Sequence, residues 1–200
     1  NLPSYLSFSN SLTLADHHTI SFSYFPQVSG TGSITGSGTI FLTGPSSSNG
    51  GITADAIGPG ITLRTAPNTS GVNVNANINV PSLQGIVSAE TPRVTVSLVA
   101  DNWVNTGTLS VSGGTLSLGN SFSPSSVGTL VRSGNGTVQV VGTLNMPPGD
   151  DTLLLNVSTG TWNFAGATVN GGTIRTADGA VAQFSAGTTT FQGVTLDGNA

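Results

Sequence analysis

The sequence predicts an all-β chain wound as a parallel β-helix, a solenoid of short strands. Three observations carry this. A Gly-Thr-apolar phrase recurs along the chain: Gly38-Thr-Ile40, Gly107-Thr-Leu109, Gly114-Thr-Leu116, Gly128-Thr-Leu130, Gly136-Thr-Val138, Gly142-Thr-Leu144, Gly160-Thr-Trp162 and Gly172-Thr-Ile174. Alternating runs such as 72–80 and 93–99 set apolar side chains on one face and Asn, Thr or Ser on the other, the period-two signature of a half-buried strand. Helical periodicity is nearly missing, because glycine or proline interrupts most windows of a dozen residues.

The elements follow in chain order. The first 30 residues form an aromatic-rich block containing Tyr5, Phe8, Phe22, Tyr24 and Phe25. A solenoid needs an atypical end unit to cover its first coil, so residues 1–30 are expected to be an N-terminal cap or an assembly segment. Residues 31–200 are expected to be the β-helix repeats, within one domain. Residues 44–51 read as a protruding loop, rich in Gly, Pro and Ser. The Asn-rich run 72–80 reads as a strand even though asparagine is a poor strand former, since it is tolerated facing water or in a ladder over like residues.

From residue 107 the phrases set the coil length. Gly107 to Gly128, Gly114 to Gly136 and Gly136 to Gly160 give repeats of about 21–24 residues. In each phrase Gly is expected to turn the corner with positive φ, Thr to open the strand, and the apolar residue to enter a narrow core. An antiparallel sandwich or barrel is the alternative, since short strands with turns every ~8–12 residues suit that also. Hairpin signals at Asn49, Asn135 and Asp178 are too few for it.

The stretch 105–119, with 169–174 and 191–199, resembles the β-strand repeats of large bacterial surface and secreted proteins, among them autotransporter passenger domains and filamentous-haemagglutinin-type adhesins. The resemblance implies a right-handed coil on the outside of a cell, serving adhesion, matrix or envelope structure. It brings no catalytic motif with it.

Composition narrows the function classes. Of 200 residues only 6% are charged, lysine and cysteine are absent, the formal net charge is −4, and about half the chain is Gly, Ser, Thr or Asn. Four arginines cannot form the cationic face that nucleic acid demands. Without cysteine there is no disulfide, thiolate nucleophile or Cys-ligated zinc. With hydrophobic residues at 36%, the chain is an ordered protein and not a disordered one. No apolar run approaches the ~20 residues of a membrane-spanning helix, and insertion of this segment into a membrane is not expected. A start at Asn1 and a close within a repeat-like phrase lead us to expect a processed product or a piece of something longer.

Candidate chemistry is sparse. Asp16, His17 and His18 are adjacent, and successive strand residues point to opposite faces, so a polar turn is expected there. Asp150-Asp151 is the one paired carboxylate, as glycoside hydrolysis requires, but it follows the turn-forming Pro147-Pro-Gly149. No catalytic residue, cofactor or metal is expected. Trp103 and Trp162 are possible carbohydrate-stacking residues, although core or coil-edge packing is the commoner use of a Trp in such strand-like segments. Tyr5, Phe8, Phe22, Tyr24 and Phe25 are possible assembly residues. The expected function is therefore a non-catalytic extracellular structural or adhesive protein, a homo-oligomer or head-to-tail polymer assembling by strand addition, with a surface glycan as a possible partner. The alternatives are a polysaccharide lyase or hydrolase on the same scaffold, and a sugar- or ice-binding solenoid.

Overall fold

The computed structural model describes residues 5–22, 26–43, 49–68, 71–185 and 187–198, the side chain of Asp16 excepted. Tyr24, Phe25 and most of the expected loop at 44–51 lie outside them. The chain is a parallel β-solenoid. One of its two nine-stranded sheets, the unbranched long sheet, stacks its strands in strict chain order from Tyr5–Phe8 to Ala182–Ser185. Every pairing in it is parallel. One coil spans from 20 residues, where Val94 lies on Val74, to 26, where Ala76 lies on Gly50. This range is wider than the phrase spacing alone predicts.

Tyr5–Phe8 pairs in register with Gln27–Gly30, and Ser11–Ile20 with Ser33–Phe41, so the N-terminal block supplies the first coil of the same ladder. The second long strand then divides. Ser33 and Ile34 pair with Ala56–Ile57, while Gly38–Phe41 pairs with Ile61–Arg64. Gly58-Pro59-Gly60 interrupts the strand between these two pieces, because proline offers no N–H to a ladder. Two flanking faces continue upward from there, one ending at Val104–Asn105 and the other at Thr129–Arg132. A single helical turn, Pro124–Val127, takes the next level above Val104–Asn105, where the Asn105 side-chain amide donates to the Val127 carbonyl at 2.9 Å. In the last coils two new sheets appear, of four strands beginning at Ser121–Phe122 and of three beginning at Thr152–Leu155.

Alternation dictates the core. In seven of the eight Gly-Thr-apolar phrases the apolar residue is no more than 1% exposed. These residues stack in columns: Ile40, Leu63, Val87 and Leu109 lie one above another, as do Leu116 and Val138. Burying a Leu or Ile contributes about 1.5–3 kcal/mol, and each coil adds several. The exception is Leu130, only partly covered although it continues the first of these columns.

Glycine serves the phrase differently from the expectation. Only Gly128, Gly160 and Gly172 of the eight have positive φ. At Gly142 the backbone is ordinary, but a Cβ would stand 2.2 Å from the Asn120 carbonyl oxygen. There the residue is glycine because adjacent coils approach too closely for any side chain.

Outward polar residues tie coil to coil. Asn145 donates to the Ser121 hydroxyl at 2.8 Å, and Asn170 to the Asn145 side-chain oxygen at 2.9 Å. A buried threonine ladder closes one corner: Thr43 Oγ1 accepts from the Ala66 amide, Thr65 Oγ1 accepts from the Thr91 amide, and Thr65 Oγ1 donates to Thr91 Oγ1 at 2.8 Å. Arg64 pairs with Glu90 and Arg175 with Asp197, each one coil away.

Candidate functional site: a break in one face of the solenoid

The site begins with a reversal of the inward–outward pattern. In the coils below, Ser88 and Ser110 face outward, while Ala89 and Val111 are fully buried. The next residues in these two columns are Val131 and Arg132. Val131 takes the outward place and is 48% exposed; Arg132 takes the place above buried Val111. A guanidinium cannot be sealed into an apolar core without a partner. Arg132 instead turns its Nε to the Gly136 carbonyl at 2.8 Å and lays its head against Gly160, where a Cβ would come within 2.5 Å of Nη1.

The ladder stops at this point. Thr129–Arg132 pairs with the coil below, Thr152–Leu155 pairs with the coil above, and the two do not pair with each other. Their Cα atoms are mostly more than 8 Å apart, against about 4.8 Å between paired strands. The long sheet and the four-stranded sheet run past this level without interruption. The opening is thus confined to one face.

The result is a cleft of about 380 Å³. Val127, Leu130, Leu153 and Trp162 supply its apolar lining, and Thr129, Thr152 and Thr159 its hydroxyls. On the upper wall Thr159 Oγ1 substitutes for part of a missing strand. It donates to the Leu154 carbonyl at 3.0 Å and accepts from the Asn156 amide at 2.9 Å. The indole of Trp162 donates to the Thr159 carbonyl at 3.1 Å, which fixes that loop over the core.

Asp150 holds the cleft's helical wall. Both carboxylate oxygens lie 3.1 Å from the Ser125 amide, and Oδ2 accepts from the Ser125 hydroxyl at 2.6 Å. Partial burial raises the Asp150 carboxyl, but hydrogen bonds from Ser125 and Ser123 outweigh it and hold the group below its usual value. Asp150 is therefore a tie between coils, anchored across 25 residues of sequence.

The residues singled out from sequence fall elsewhere or act differently. Trp103 is fully buried, stacked on Phe122 at 5.1 Å with its indole N–H on the Gly119 carbonyl. Trp162 is 1% exposed. Neither presents an open ring face to a sugar, because both occupy inward positions of the coil. Phe22 is likewise buried at 2%; Tyr5 is 59% exposed, and Phe8 packs partly against the core. His17 and His18 sit at a bulge, where the register shifts between Leu14 and His18. His17 has φ of 59° and contacts the Ser37 hydroxyl at 2.9 Å; His18 contacts the Ala15 carbonyl. Among the described residues no three His, Cys, Asp or Glu side chains come together as a metal site.

Sequence reasoning missed the cleft. Its available signal was Val131-Arg132, the point at which the outward and inward residues exchange chemistry. In comparisons with protein-family models, curated proteins and solved structures, nothing matches this chain.

Proposed function

We propose that this chain is a non-catalytic structural module of an extracellular or cell-surface fibre, a length of rod that extends by stacking coil on coil. The observation that carries this reading is the state of the two ends. In the last described coil Phe184, Phe191 and Leu196 lie directly above Phe164, Val169 and Ile174, all buried, yet they are 45%, 38% and 47% exposed. They hold core positions in the last coil described. At the other end Leu6, Phe8, Leu12 and Ile20 are only partly covered.

The two ends have compatible spacing. Setting Leu6 over Ala182 brings Phe8 over Phe184. Ile20 then follows Phe8 by the same interval that Leu196 follows Phe184. This register is slipped by two residues from the column that runs from Leu6 through Val28 and Phe164 to Phe184, and it keeps apolar residues inward on both sides of the contact. Such a contact is heterologous and does not close, so it propagates as a rod. Residues 179–200 carry a single charge, Asp197, so a coil stacked on them meets almost none of the charges that guard strand edges. The rows of Thr, Ser and Asn on the outward faces suit hydrogen bonding to a surface glycan.

Small-angle scattering and sedimentation across a concentration series test the reading. The expected result is growth in length at constant cross-section, abolished by Phe184→Lys with Phe191→Lys. A chain that stays monomeric at millimolar concentration overturns it.

A further inference from the structure

We infer that the break between Thr129–Arg132 and Thr152–Leu155 is a lateral acceptor for one extended, uncharged peptide strand, which fills the missing rung of the ladder. This site is separate from the ends of the rod and does not depend on how they assemble.

The backbone of both walls identifies the occupant. In a parallel ladder, alternate residues turn N–H and C=O to opposite neighbours. Ser133 N–H donates down to the Val111 carbonyl, so Leu130 and Arg132 turn their backbone groups up into the cleft. The Asp151 and Leu155 carbonyls accept from Thr173 and Ala177 above, so Thr152 and Leu154 turn theirs down into it, where an incoming strand takes over the place that the Thr159 hydroxyl holds on the Leu154 carbonyl. Two strand edges, running in the same direction, therefore face each other across a gap. Inserting one strand between two others requires about twice the ~4.8 Å ladder spacing; the two walls here, mostly more than 8 Å apart in Cα position, border a cleft of about 380 Å³. A sugar would satisfy hydroxyls and carbonyls at scattered points; only a peptide offers alternating donors and acceptors at the ladder period on both sides.

The side chains define the peptide. An inward residue of the incoming strand would lie between Leu130 and Leu153, covering the one phrase leucine that the fold leaves partly exposed. An outward residue would lie between Val131 and Leu154, which are 48% and 41% exposed and both apolar. The occupant is thus apolar on both faces at the centre of the cleft, with small hydroxylated residues matching Thr129 and Thr152 at its start. Strand addition of this kind is a known mode of peptide recognition, with backbone bonds giving affinity and pockets giving selectivity.

The experiment is site-resolved amide hydrogen exchange on the full chain. The probe is a terminally blocked peptide of the sequence of residues 106–113 with valine at the Ser110 place, Thr-Gly-Thr-Leu-Val-Val-Ser-Gly. We expect the amides of Leu130, Arg132, Thr152 and Leu154 to slow at least tenfold at saturating peptide. The same peptide with N-methylated Leu and Val should give no protection. Leu130→Trp, which fills the cleft from below, should weaken binding at least tenfold; if that variant does not fold, the N-methylated peptide alone decides. No protection at millimolar peptide, protection confined to residues 182–198, or protection by cellohexaose and not by peptide each overturns the proposal.

Discussion

Asp150 shows how one side chain can be read as catalysis and used as construction. Beside Asp151 it has the look of an acid–base pair, but its oxygens are spent on Ser125 of the preceding coil. Its carboxyl is held below the usual range in the folded chain, so its contribution is present above the unfolded value near 3.9 and lost as pH falls through the folded one. We expect Asp150→Asn to lower stability at pH 7 by less than about 1 kcal/mol, as suits a largely exposed charge. Urea midpoints at pH 7 and pH 3 check this: the loss between them should be smaller in the variant. Gly142 makes a sharper case. Alanine there would press its Cβ to 2.2 Å from the Asn120 carbonyl oxygen, and backbone cannot yield as a flexible side chain can. Overpacking of this kind costs about 1–3 kcal/mol, measurable as a lowered denaturant midpoint.

At the level of strands, the phrase leucines offer a matched comparison. Leu109 is fully buried and Leu130, directly above it, borders the cleft. Leu109→Ala should cost about 2–5 kcal/mol through lost burial and a residual cavity. Leu130→Ala should cost less, because Leu130 is only partly buried beside the cleft; equal losses in equilibrium urea unfolding would mean that the cleft is closed in solution. The same pair shows what the sequence reveals. Both leucines stand in a Gly-Thr-Leu phrase, and the phrase correctly marks strand, inward residue and approximate coil length. Coil stacking is local in its chemistry, so a repeat exposes it. The break is not local. It depends on which residue lies one coil away from Arg132, and coil lengths varying from 20 to 26 residues hide that register. The two tryptophans follow the pattern of the coil: Trp162 closes a Gly-Thr-apolar phrase, and both it and Trp103 take the inner face.

For the molecule as a whole, a solenoid's stability is close to a sum over coils and the contacts between neighbours. The contacts here are unequal. Below Thr129–Arg132 successive coils pair on the long sheet and on a flanking face, but at the cleft one face contributes no ladder. The coils beyond it are also thinner in aliphatic core, with Phe184, Phe191 and Leu196 uncovered at their far end. Segments with fewer buried contacts open at lower free energy than the global transition. We therefore expect opening to begin in residues 152–198, with the coils from 26 to 132 persisting as a unit. Native-state hydrogen exchange in low urea should show two groups of amides, divided between Arg132 and Thr152. Ile174→Ala should lower the opening energy of the upper group while leaving the lower group unchanged, whereas Val87→Ala should lower the stability of the lower group. A single shared opening energy for all core amides, moved equally by both substitutions, would show that the two uninterrupted sheets carry enough coupling across the cleft to make the rod one cooperative unit.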